Sequence, residues 1–265
     1  MSNIEICFTG DQFRQSAAQL AERLQLPIHS PGSTNYDFLL TLSDRGLSLE
    51  PSASKGYGAV SCDFASGANH HRRRFGGGNG QSIAKAVGVS GKFCPTVLDL
   101  TAGLGSDGFV LASLGCCVTL VERNPVVHSL LADGLARATI SGAEDSALAE
   151  IIDRIELIEG DSADYLQVQQ GQPQEEYPDV VYLDPMFPER KKSAKVKKQM
   201  QAFHSIVGGD TDADSLLVQS LAIAVHRVVV KRPAGAPYLA DSKPSYSLEG
   251  KSTRFDIYAL KKLPA

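Results

Sequence analysis

Residues 97–108 read Val97-Leu98-Asp99-Leu100-Thr101-Ala102-Gly103-Leu104-Gly105-Ser106-Asp107-Gly108, and no other stretch restricts the fold as tightly. Apolar residues at Val97, Leu98 and Leu100 suit a strand buried on both faces, as in a parallel sheet. The glycines follow at once, and they let the backbone turn sharply and approach a ligand with no Cβ in the way. Ser106 and Asp107 then open a helix, Phe109 to Leu114, whose first N–H groups lack partners within the helix and face the same ligand. Strand, glycine turn and helix begin a βαβ unit, so a small molecule is expected on the turn.

Gly103, Gly105 and Gly108 also spell the dinucleotide fingerprint, with Glu122 at the end of a second strand over 117–121. Two features point instead to S-adenosylmethionine (SAM). The Asp99 carboxylate before the turn suits the cationic amino group of a methionine moiety and would repel a pyrophosphate. Further on comes Asp184-Pro185-Met186-Phe187-Pro188, for which nicotinamide chemistry has no use.

The 265 residues are enough for one large or two modest domains. Hydrophobic periodicity divides them into a small α/β unit over 1–90 and an α/β domain over 91–265. The first unit reads as a strand at 4–8, a helix at 12–24, strands at 36–42 and 46–50, a further strand at 58–64 and a short helix at 82–88. From residue 95 strands and helices alternate, which predicts a mostly parallel sheet with right-handed crossovers. The third strand is expected at 152–157, the fourth at 179–183, a helix at 216–225, the fifth strand at 226–231 and a terminal one at 253–260. Asp99, Glu122, Asp161 and Asp184 then all fall at carboxyl ends of strands, where open α/β sheets bind ligands.

Each acid has a chemical reading. Glu122 suits the two hydroxyls of a ribose, with Arg123 against the adenine, and Asp161 with Ser162 suits the adenine amine; each, taken singly, reads equally well as a helix cap. Asp184 and the Pro185 carbonyl suit the N–H groups of an aromatic amine such as guanine N2 or adenine N6, a poor nucleophile because its lone pair is delocalised, while Phe187 stacks on the base. Arg190, Lys191, Lys192 and Lys195, with two further lysines at 197 and 198, read as a clamp on RNA phosphates, extended by Lys231 and Arg232. Arg72, Arg73 and Arg74 beside Phe75 and three glycines read as a second phosphate-gripping loop. The net charge of −4 means that such attraction must be local.

Five cysteines without a C-x-x-C pair and six histidines without ligand spacing give no reason to expect a metal. A composition that is 43% hydrophobic and 21% charged, with no apolar run of bilayer length and no basic-then-apolar N-terminus, predicts a cytoplasmic protein with no membrane partner.

These motifs resemble those of the bacterial small-subunit ribosomal RNA guanine-N2 methyltransferase family, RsmJ. The resemblance lies in 72–78 with Gly80-Gln81, in 99–105, in 120–125, in 181–188 and in the ending Arg254-Phe255-Asp256-Ile257-Tyr258. It implies a Rossmann-like class I SAM-dependent methyltransferase domain behind the small N-terminal α/β domain. It further implies methyl transfer to N2 of one guanosine near the 3′ end of 16S rRNA, with that RNA or the small ribosomal subunit as partner. Cofactor contacts would fall on Ser106, Asp107, Glu122, Arg123, Asp161, Ser162 and Asp184, beside Asp99, Gly103 and Gly105 of the turn. The competing readings are an amino methyltransferase for DNA adenine or protein glutamine, a nucleotide-binding oxidoreductase, and a non-catalytic RNA-binding assembly factor.

Overall fold

A computed structural model describes residues 2–52, 58–66, 80–186 and 212–264. Ile4–Phe8 (β1) pairs in parallel with Phe38–Ser43 (β2), which forms an antiparallel hairpin with Gly46–Pro51 (β3). Gly46, at φ 92°, turns the hairpin in a conformation open to glycine. Arg14–Leu24 (α1) follows β1 after a single 3₁₀ turn at Asp11–Phe13. The strand expected at 58–64 is reduced to one bridge, Val60 to Leu49. Just beyond it the Asp63 carboxylate accepts the N–H groups of Ala65 and Ser66, a local turn that competes with sheet pairing.

The second sheet holds seven strands: Val97–Asp99 (β4), Val118–Glu122 (β5), Ile155–Glu159 (β6), Val180–Leu183 (β7), Arg227–Pro233 (β8), Tyr246–Glu249 (β9) and Thr253–Ala259 (β10). Their order is β6-β5-β4-β7-β8-β10-β9, with β10 antiparallel to both neighbours and the other pairs parallel. The chain winds outward from β4 to β6 and then returns to β7, so the direction reverses between β4 and β7. That reversal opens the crevice where doubly wound sheets take their ligands. The helices are Ser82–Val87 (α2), Ser106–Ser113 (α3), Pro125–Gly142 (α4), Ser146–Ile152 (α5), Ser162–Gln170 (α6) and Ala213–Ile223 (α7).

Two boundaries differ by three residues from the sequence reading. The third strand starts at Ile155 rather than 152, because Asp145 caps α5 by accepting the Leu148 N–H, and Leu148, Ile151 and Ile152 are buried as a helical face. The last helix starts at Ala213 rather than 216. The hairpin strand β9 also had no clear alternation, its residues being exposed or only partly buried.

Strand alternation splits the interior into two cores. Val97, Tyr182, Val229, Phe255 and Ile257 face α2 to α5, and the first sheet shares this core through Phe38, Leu40 and Leu49, joined by Phe64 from the segment that follows it. Leu98, Val181, Val228 and Val230 face α6 and α7. The first unit is tied to α4 by a hydrogen bond from Leu47 N–H to Asp133 at 3.0 Å and another from Arg137 to the Cys62 carbonyl. Gly134 allows this approach, since a Cβ there would collide with Cys62.

On β10 the Arg254 guanidinium binds Asp256 bidentately at 2.7 and 2.8 Å, with side chains only 8% and 0% exposed. Removing one partner of such a pair leaves an uncompensated buried charge. Arg254→Ala is therefore expected to lower the free energy of unfolding by about 3–5 kcal/mol in urea titrations; a loss of well under about 1 kcal/mol would show that the pair adds nothing to the fold.

Candidate active site

Asp99 closes β4 beside Tyr182 of β7, Glu122 closes β5, and Asp184 follows the last residue of β7. Three of the predicted acids thus lie around the crevice at the point of reversal, and Asp161 stands one turn away after β6. Thr101 links two of them: its N–H and hydroxyl reach Asp99 Oδ1 at 3.0 and 3.3 Å, and its hydroxyl oxygen accepts the Asp184 N–H at 2.6 Å. Glu122, 6% exposed, accepts the N–H of Gly103 at 2.8 Å on one oxygen and that of Asn124 at 2.8 Å on the other. The carboxylate therefore braces the glycine turn and the start of α4 together.

The centre of the site is a lysine. Lys231 Nζ lies 2.7 Å from Asp107 Oδ2 and 2.6 Å from Asp184 Oδ2, joining the start of α3 to the end of β7. The Tyr182 hydroxyl donates to the same Asp107 oxygen at 2.8 Å. Burial alone would lower the ammonium of Lys231, but Asp184 and Asp107 outweigh it and hold the group above its ordinary range. Burial, reinforced by Asp107, Asp184 and Asp99, pushes the Tyr182 phenol well above its ordinary value. Lys231 was expected in a phosphate-binding patch; it is an internal counter-ion instead. Arg232 is likewise buried and donates to the Pro237 carbonyl at 3.0 Å, so the β8 end does not extend a clamp.

Gly103 and Gly105 sit at φ 55° and 70°, and a Cβ on Gly105 would lie 2.7 Å from Leu131 Cδ1. Ser106 is the first residue of α3, and a Cβ on Gly108 would meet Leu120 Cδ2 at 2.5 Å, so the helix packs closely on β5. Asp161 caps α6 by accepting the Ala163 N–H at 2.8 Å, and the Ser162 hydroxyl donates to the Leu100 carbonyl at 2.6 Å. Arg123 pairs with Asp212 at 2.8 and 3.0 Å. Pro185 is buried beside Asp184. Arg72, Arg73, Arg74, Phe187, Arg190, Lys191, Lys192 and Lys195 lie outside the described residues.

Thr101 and Tyr182 are not singled out by the sequence reading, and Lys231 appears there only as an extension of the RNA clamp. The signal for two of them was present in strand alternation: Tyr182 and Asp184 are two apart, and Lys231 lies one step past the register pair Leu183 to Val230.

This donor set fits SAM. Carboxylate acceptors for a diol and a cationic amine surround a turn whose two left-handed glycines keep side chains out of the crevice. Residues 19–260 match the family described as putative SAM-dependent methyltransferases, and the chain is a SAM-dependent methyltransferase. It superposes on the SAM-dependent methyltransferase NGO1261 from Neisseria gonorrhoeae with a TM-score of 0.71 and 35% identity, covering 96% of this chain and 95% of that one. It is 53% identical to ribosomal RNA small subunit methyltransferase J of Cellvibrio japonicus over 100% of both chains. It is 50% identical to the protein of that name in Pseudomonas syringae pv. syringae over 98% of this chain and 92% of the relative. The chain belongs to the ribosomal RNA small subunit methyltransferase J family. Among the described residues no helix is long and apolar enough to cross a membrane.

Asp99 is 2% exposed, and burial, opposed by the Thr101 N–H and assisted by Asp107 and Asp184, raises its carboxyl from 3.8 to about 7. Between those values the folded protein holds a proton that the unfolded chain releases, so this group makes stability fall as pH rises from 3.8 to about 7. Asp99→Asn cannot ionise and keeps an oxygen for Thr101. Its melting temperature is expected to gain on the wild type as pH rises from about 4 to about 7 and to hold that gain above; parallel curves would mean that Asp99 titrates as an ordinary surface carboxyl.

Proposed function

We propose that this enzyme methylates the exocyclic N2 of one guanosine near the 3′ end of 16S rRNA, acting on that RNA or on the small ribosomal subunit in the cytoplasm. The family supports an RNA substrate, since its relatives carry the name ribosomal RNA small subunit methyltransferase J. The observation that carries the chemistry is the Asp184 carboxylate, fixed at 2.6 Å by Lys231 and anchored through its own N–H to Thr101, next to Pro185.

SAM, when bound, supplies a methyl group activated on a sulfonium, so no metal is required for the electrophile. The chain's task is to improve a weak nucleophile. Asp184 and the Pro185 carbonyl accept the two N–H groups of the amine, drawing the nitrogen toward tetrahedral geometry as its lone pair turns to the methyl. Lys231, 2.6 Å from one Asp184 oxygen, fixes the carboxylate in place, so the acceptor stays oriented through the step and can take the proton that the methylated nitrogen sheds. Phe187 stacks on the base.

The cofactor contacts follow the same logic. Glu122, braced by the N–H groups of Gly103 and Asn124, presents its carboxylate to the ribose hydroxyls. Asp99 and Asp184 attract the methionine amino group, while Ser106 and Asp107 offer the start of α3, beside Gly103 and Gly105. Asp161 addresses the adenine amine with the Ser162 backbone, whose hydroxyl is already committed to Leu100. Arg123, steadied by Asp212, lies along the ring.

The test is methyl transfer from labelled SAM to small-subunit particles lacking the modification, with the product nucleotide identified by mass spectrometry. Asp184→Ala is expected to keep the fold and lose turnover by about a hundredfold or more, the cost of a transition-state contact; wild-type rates would remove Asp184 from the chemistry. Replacing Lys191, Lys192 and Lys195 with alanine is expected to weaken RNA binding and to flatten its logarithmic salt dependence by nearly one for each lost phosphate contact. An unchanged slope would dismiss the clamp.

A further inference from the structure

A cleft of about 410 Å³ opens beside the catalytic group, lined by Gln81, Ser82 and Ile83 at the start of α2, by Asp107 and Lys231, and by residues 250–253 and Phe255 of the β9–β10 hairpin. Its volume lies within the range of small-molecule sites. Lys231 and its partner Asp107 line one side of it, and the same Lys231 ammonium touches Asp184, which lies behind the lining, at 2.6 Å. Phe255 stands opposite Lys231 in the antiparallel register, so the two share one face of the sheet. Phe255 and Ile83 are buried apolar walls.

Two polar side chains of the lining, Gln81 and Lys251, stand outside the hydrogen-bond network of Asp107 and Lys231. Gln81 occupies the N-cap position of α2, yet its carboxamide makes no capping bond. Lys251 is exposed at the tip of the hairpin and has no ion pair among the described residues. The hairpin holds that tip firmly, because Arg254 pairs with Glu249 across it and a Cβ on Gly250 would lie 2.6 Å from the Thr253 carbonyl oxygen. Among the described residues, an amide without a capping bond and an ammonium without an ion pair thus line a cleft with apolar walls, with Asp184 reached through Lys231 on one side.

We propose that this cleft seats the target nucleotide, with Gln81 reading the O6 and N1–H of the guanine and Lys251 holding an adjoining phosphate. The inference rests on the guanine-N2 reading above. It follows from the order of atoms on the base: N2, N1 and O6 lie side by side on one edge. A residue that reads N1–H and O6 must therefore stand next to the residue that holds the amine. The Gln81 carboxamide supplies one acceptor for N1–H and one donor for O6, a pairing that a carboxylate or an ammonium cannot make alone. Asp184 then selects the amine, and Gln81 selects the purine that carries it.

The experiment compares particles reconstituted with 16S rRNA carrying guanosine or 2-aminopurine riboside at the target position. 2-Aminopurine keeps the 2-amine but lacks O6 and N1–H. With the full-length enzyme, Gln81→Ala is expected to lower kcat/KM on guanosine about tenfold or more, as for loss of a bidentate base contact. It is expected to leave kcat/KM on 2-aminopurine nearly unchanged, so that the preference for guanosine shrinks by the same factor. SAM affinity by calorimetry stays at the wild-type value. Lys251→Ala is expected to act on KM for the particle rather than on kcat and to lower the salt slope by about one, with Lys251→Arg restoring both. A guanosine preference and a salt slope that both survive these substitutions, in an enzyme that methylates the particle normally, would overturn this assignment and leave the proposed function standing. A wild-type enzyme that left the guanosine particle unmethylated would overturn the function itself.

Discussion

The structure depends on one cation held among carboxylates. Lys231 Nζ is within 2.7 Å of Asp107 and Asp184, and Asp99 lies close enough that both carboxylates raise its proton affinity. Like charges gathered in a partly desolvated crevice repel strongly unless one loses its charge or a counter-ion intervenes. Both devices are present here: Lys231 neutralises one charge, and burial lets Asp99 keep its proton near neutrality. The residual negative potential suits a ligand with a sulfonium and an ammonium. It also explains why Lys231 sits inside the site rather than on an RNA-facing surface.

The glycine turn is the second element of that arrangement, and it is tied to the first through the backbone. Gly103 donates to Glu122, and Thr101 connects Asp99 to the Asp184 amide. Neighbouring strand ends are thereby cross-linked by residues from one short loop. The left-handed glycines let the loop fold back far enough to make those bonds, so the ligand surface and the supports of β5 and β7 are set by the same few dihedral angles.

Much of this was legible in the sequence, because short, nearly continuous apolar runs ending in Asp or Glu announce both the strands and their ligand-facing ends. Asp99, Glu122 and Asp184 needed only that pattern. The role of Lys231 was not legible: its partners stand 124 and 47 residues away, and a lysine at a strand end beside Arg232 looks the same in sequence whether it meets solvent or an acid. Arg123 was placed by its motif, but its bond to Asp212, 89 residues on, depends on tertiary packing. Helix α5 was missed because its apolar residues run on into those of β6, and local pattern could not separate a three-residue helical repeat from a short buried strand.

The carboxylate clusters around Arg254 and around Lys231 have equally short contacts, and their solvent contact separates their roles. Arg254 and Asp256 are 8% and 0% exposed, with Ser247 and the Ala236 carbonyl completing their hydrogen bonds. Such a pair is closed: every partner is internal, and its contribution is to hold β10 in register. Lys231 and Asp184 are 27% and 39% exposed at distances just as short. A carboxylate that holds a partly exposed ammonium and still meets solvent is both oriented and accessible. An acceptor for a substrate amine needs both properties, since full satisfaction would leave it nothing to offer and free rotation would deny the amine a fixed geometry.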